Sequence, residues 1–204
     1  VWNVQMSTLP ENCRPKERLI FNMIRSDSVC RVDISTNGAV TTHGGTGGWI
    51  SLAGINFVRN TQDQTALSFV NSWQNYHRSY HTASSFEQGN RCYVSGLITS
   101  GSWAQLVVLP PNCRPDKRLV FNLNNHNYIS RVDVFPNGKV SWVAGGNHHG
   151  WISLNGITFG VLNIQTRAGT VDSGVLTFGI GYSVSTQVTF ASILNSVDAS
   201  HWDQ

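Results

Sequence analysis

The chain has 204 residues and a formal net charge of +3, with 40% hydrophobic and 12% charged residues, 19 Gly and 7 Trp. That balance lies far from the profile of a disordered chain and suits short strands joined by tight turns, with length enough for two modules of about 100 residues. Lys and Arg are scattered rather than gathered into a stripe, which argues against nucleic acid as a partner. No apolar run approaches the roughly 20 residues of a spanning helix, so membrane insertion is not expected.

In chain order, the opening VWNVQMSTLP has neither the charged start nor the apolar stretch of an export signal. LPENCRP at 9–15 places two prolines around a polar kink that ends one strand and aims the next. From Arg18 the run RLIFNMI is bulky and nearly continuous, the pattern of a strand buried in a sandwich core. RVDI at 31–34 then alternates: Val32 and Ile34 are expected inward, Arg31 and Asp33 outward as an exposed ion pair. STNG at 35–38 reads as a hairpin turn closed by Gly38. Beyond a glycine-rich tip, GWISLAGINF at 48–57 returns as a strand in which Ile50 and Leu52 alternate with Trp49 and Ser51, and Gly54 interrupts it as a bulge would.

Further strands are expected in 65–107, from ALSFVNSWQNY, RSYHTASSF and RCYVSGLITSGSW. From residue 109 the first pattern recurs. LPPNCRP at 109–115, RLVFN at 118–122, RVDV at 131–134 and FPNG at 135–138 all stand 100 residues after their counterparts. GWISLNGITF at 150–159 stands 102 after. Constant spacing means that one folded unit is present in duplicate. The two extra residues fall between Val140 and Trp151, where VTTHGGTGGW becomes VSWVAGGNHHGW. A length change confined to one turn marks a solvent-facing tip on packed flanks.

The expected fold class is all-β, with two related antiparallel β-sandwich, jelly-roll-like modules. Residues 1–62 form a first half-module and 63–160 a complete one. The strand-rich tail 161–204 either completes the first module or pairs with a neighbouring chain, since an open half-sandwich exposes edges that something must cover.

Cys13, Cys30, Cys92 and Cys113 lack the close spacing of zinc ligands, so two disulfides and an oxidising, extracellular compartment are expected. Cys13–Cys30 with Cys92–Cys113 keeps each bridge local to one module, and Cys13–Cys113 is the rival pairing.

Two polar clusters are candidate ligand-binding loops. Asn124, Asn125 and His126 lie between two expected strands. Trp142, Asn147, His148 and His149 occupy the divergent tip, an indole plate beside amide and imidazole groups on a glycine-permitted loop. Sugars are held by that combination, their C–H face on the ring and their hydroxyls on the amides. The 122–128 loop lacks the carboxylates of a strong Ca²⁺ site, adjacent His148 and His149 point to opposite faces of a strand, and neither metal nor cofactor is expected. Trp49 and Trp151, duplicated inside a strong strand pattern, are expected in the core. Nucleophile-elbow, P-loop and zinc-protease motifs are missing, so catalysis is not expected.

Trp73, Asn75, Tyr76, Tyr80 and Ala83, then VSGLITSG at 94–101, LPPNCRP and GWISLNGITF, together resemble the C-terminal modules of bacteriophage tail-fibre and receptor-binding proteins, and similar lectin-like modules of secreted animal proteins. The resemblance covers about 65–160 and, through the repeat, 8–58. Those phage modules carry an aromatic where Cys113 stands; cysteine there points to an extracellular, disulfide-stabilised relative. The resemblance implies a β-sandwich, homo-oligomers, and attachment to glycans or a glycosylated surface receptor. The expected function is lectin-like adhesion, with a structural subunit of an extracellular fibre, assembled by strand complementation, as the alternative and an enzyme a distant third.

Overall fold

A computed structural model describes residues 3–26, 28–44, 48–59, 63–77 and 79–161, together with the backbone of 173–174 and 190–191. Residues Val1–Leu162 form one compact unit and Asn163–Gln204 another.

In the first repeat, β1 (Val4–Thr8), β2 (Leu19–Arg25), β3 (Ser28–Ile34) and β4 (Ala39–His43) make an antiparallel sheet in the order β1-β4-β3-β2. Short strands follow: β5 (Thr65–Ala66), β6 (Ser68–Phe69), β7 (Gln74–Asn75), β8 (Ser84–Gln88), β9 (Arg91–Ser95) and β10 (Leu97–Thr99). The second repeat comprises β11 (Gln105–Val108), β12 (Leu119–Asn125), β13 (Tyr128–Val134), β14 (Lys139–Gly145), β15 (Trp151–Ser153) and β16 (Ile157–Gly160). Its sheets run β12-β13-β14-β11-β6, β15-β10-β7 and β16-β9-β8-β5. In the second unit, β17 (Ser173–Gly174) pairs antiparallel with β18 (Phe190–Ala191). The rest of the tail, on which the strand-completion expectation rests, lies outside the described residues.

The duplication holds at the level of register. Leu19 faces Ile34 and Leu119 faces Val134, and a bulge falls between Gln5 and Ser7 as it does between Gln105 and Val107. One inserted residue of the second copy is a bulge as well. Val32 and Arg31 face Thr42 and His43, but Val132 and Arg131 face Trp142 and Ala144, leaving Val143 extra in β14.

Local chemistry explains the shared frame. Each LPxNCRP segment makes a 3-10 turn, Glu11–Cys13 or Pro111–Cys113, and the following arginine Nε donates to the Leu9 or Leu109 carbonyl at 3.1 Å. The same leucine's N–H meets the hairpin glycine carbonyl at 2.8 Å. Gly138 has φ +84°, and a Cβ there would stand 2.6 Å from the Leu109 carbonyl oxygen, so only glycine fits.

The expected strand at 150–159 is two strands. Gly156 (φ +102°) belongs to a turn rather than a bulge, so β15 pairs with β10 while β16 crosses to β9. Gly96 lets that crossing approach: its carbonyl accepts from Leu154 N–H at 2.8 Å and its N–H donates to Asn155 Oδ1 at 3.1 Å. Between the sheets lies a core of Val132, Val134, Val140, Ile152, Leu154 and Ile157, closed by Cys92 and Val94 from β9 and Ile98 from β10. Each such side chain contributes about 1.5–3 kcal/mol on burial. The first copy's core is smaller, centred on Leu19, Phe21, Cys30, Val32 and Ile34.

Three expectations are corrected. Cys92–Cys113 is bridged as expected, but Cys13 and Cys30 are free thiols. Cys30 is buried among Leu19, Phe21 and Val32, while Cys13 is exposed on its 3-10 turn. Asp33 and Asp133 are ion-paired but fully buried, because two arginines, one within β3 or β13 and one just before β2 or β12, close over each carboxylate. Trp49 is 58% exposed rather than core, and Trp151 is only half-buried.

Candidate binding site

The tip of the second copy is assembled by asparagines. The β12–β13 hairpin closes on the Asn125–Tyr128 pair, with His126 left-handed at φ +64°, a conformation histidine tolerates better than most side chains. Asn125 is fully buried. Its Oδ1 accepts from His149 N–H at 3.3 Å, and its Nδ2 donates to the carbonyls of His149, at 3.2 Å, and Trp151. Asn124, also buried, donates to the His126 carbonyl at 2.9 Å. Asn125 thus lashes the 145–151 segment to β12, while Asn124 braces the hairpin's own turn; neither amide faces solvent.

Those rings form a row. Tyr128 stacks on His148 at 4.3 Å between centroids and His126 on His149 at 4.5 Å. Trp151 stands 6.1 Å from both His126 and His149, and Tyr76 meets Trp151 edge-on at 6.5 Å. His149 Nε2 is 3.3 Å from Asn127 Oδ1. Tyr128 and Tyr76 are 38% and 42% exposed, and His148 and Asn147 are exposed too.

The first copy supplies the other flank. Arg31 lies over Trp151, 5.4 Å from the ring centroid, and is fixed by Asp33 through bonds of 2.5 and 2.6 Å. Arg18 donates to the same carboxylate at 2.8 Å and lies 5.2 Å over Tyr80, which packs edge-on against Tyr76 at 5.4 Å. His43 Nε2 completes the group, 3.5 Å from Asp33 Oδ2. A buried carboxylate thus orients two cations against two aromatic faces, an arrangement worth more when desolvated than at an open surface. The copies are joined there by Ser153 Oγ and Asn155 Nδ2, which donate to the Ile20 carbonyl at 2.7 and 3.0 Å.

Two imidazoles, those of His149 and His43, favour their neutral forms. Burial lowers the His149 pKa, and His126, His148 and Arg31 push the same way. Burial also lowers that of His43; Arg31, Arg18 and His126 add to this against the opposing pull of Asp33. A neutral imidazole offers one donor and one acceptor, which suits hydroxyl groups.

Of the residues expected to bind, His126, His148 and His149 are brought into one row, with Asn147 exposed beside them. Trp142 is placed elsewhere: it packs edge-on against Trp103 at 5.7 Å, which meets Trp73 at 5.2 Å, on the flank of the second core. Tyr128 falls within the 122–128 loop singled out from the sequence, whereas Trp151, Tyr76 and Arg31 were not expected in the row. The phase of WISL, with Ile152 and Leu154 inward, already put Trp151 on the outer face. Among the described residues no group of three or more His, Cys, Asp or Glu could hold a metal ion. Comparison with protein-family models, curated proteins and solved structures finds no match for this chain.

Proposed function

We propose that this protein is an extracellular, lectin-like binding module that recognises surface glycans through the ring row of the second tip. The supporting observation is the pair of stacks, Tyr128 on His148 and His126 on His149, continued by Trp151 and braced from behind by buried Asn125. Sugar C–H faces lie on such rings, and the exposed amides of Asn127 and Asn147 with the imidazole nitrogens meet the hydroxyls. Preorganised rings lose little entropy on binding. The bridged Cys92–Cys113 pair accords with an oxidising compartment. An array of homo-oligomers would gain avidity from weak single sites. The test is a glycan array probed with the wild-type chain and with Tyr128→Ala. Binding lost in the variant supports the reading; a blank array, or hits that Tyr128→Ala retains, overturns it.

A further inference from the structure

An open groove of about 820 Å³ lies between the inner face of the first copy and the outer face of β8 and β9, where Phe86 and Tyr93 line it. The second copy shows what covers this face. There β9 pairs with β16, Val94 facing Ile157 and Cys92 facing Phe159, and Cys92 is bridged to Cys113 on the 3-10 turn. Under that cover Leu154 is 0% and Cys113 1% exposed. The matching residues of the first copy, Leu52 and Cys13, are 43% exposed and an exposed free thiol. Ile55 and Phe57, the counterparts of Ile157 and Phe159, are in no strand among the described residues.

We propose that this groove is an acceptor for a donated, cysteine-bearing strand of the β9 type, hydrogen-bonded to 55–58 and disulfide-linked to Cys13. The second copy fixes the register: the donor's cysteine lies opposite Phe57, and the apolar residue two places later lies opposite Ile55. The donor comes from outside these 204 residues. Cys92 is already bridged, Cys30 is in the core, and 161–204 contains no cysteine. The bond forms by thiol–disulfide exchange. With the donor cysteine carried as a mixed disulfide with a small thiol such as glutathione, the Cys13 thiolate attacks the donor sulfur, the Cys13–donor bond forms, and the donor–glutathione bond breaks. The departing glutathione thiolate takes up the proton that Cys13 released. This inference does not depend on glycan binding at the tip.

The probe is the peptide EQGNRCYVSGLIT, the sequence of residues 87–99, with its cysteine as the glutathione mixed disulfide, mixed with the 204-residue chain and followed by mass spectrometry. The peptide is expected to label Cys13 at least about tenfold faster than a scrambled peptide of the same composition, since docking raises the effective concentration. Leu52→Asp is expected to remove that excess when each peptide rate is taken relative to the reaction of the same variant's Cys13 with glutathione disulfide. Equal rates for native and scrambled peptides, or an excess that survives Leu52→Asp, would overturn the proposal.

Discussion

The two copies share a register yet differ in what covers them, and the difference separates structural duty from display. Leu154 is sealed by β9 and β10; Leu52, in the same place of the same motif, stands 43% exposed. Asp33 and Asp133 each hold the matched pair of arginines of their own copy, but Arg31 is only 11% exposed where Arg131 is 43%. The carboxylate is buried in both copies, but the first copy also buries Arg31 beneath the second copy's tip, whereas the second leaves Arg118 and Arg131 half in water.

Mutations at matched positions break this comparison most directly. Asp33→Ala strands two cations under Trp151 and Tyr80, and is expected to cost about 3–5 kcal/mol in denaturant unfolding. Asp133→Ala should cost clearly less, since Arg118 and Arg131 remain hydrated. Next in size, Leu154→Ala is expected to lose about 2–5 kcal/mol, while Leu52→Ala stays within about 0.5 kcal/mol. Cys113→Ser should lose about 2–4 kcal/mol by opening a bridge between residues 21 apart, against almost nothing for Cys13→Ser in the same melt.

Much of this was legible because duplication is a long-range signal that survives in single residues. Asn37-Gly38 and Asn137-Gly138 give the hairpins, and the offset change from 100 to 102 locates the tip. Other features depend on partners distant in sequence. The arginines of RVDI and RVDV do alternate outward, but nothing local says that Arg18 and Arg118 will close over the carboxylates and bury them. Strand-like alternation hid the turn at Gly156, because a turn between two sheets needs the same glycine that a bulge needs. Trp142 and Trp151 are both tryptophans near one tip. Only the bulge at Val143 and the pairing of β15 with β10 decide that the first leans on Trp103 and the second joins the histidines.

The smallest expected effect is in pH. The pKa of His149 is lowered by burial and by His126, His148 and Arg31, so the folded chain binds that proton less readily than the unfolded one. Stability is then complete above about pH 6.5, the unfolded value, and declines as pH falls through that range. A thermal melt series from pH 7.5 to 5 should show a modest fall in Tm, smaller in His149→Gln.

The claim on which the functional account turns is that ligand meets the ring row and not the other tryptophans. Aromatic NMR resonances followed through titration with a glycan hit test it directly. The account predicts shifts at His126, Tyr128, His148, His149 and Trp151, with Trp49 and Trp142 unmoved; shifts centred on Trp142 or Trp49 would contradict it.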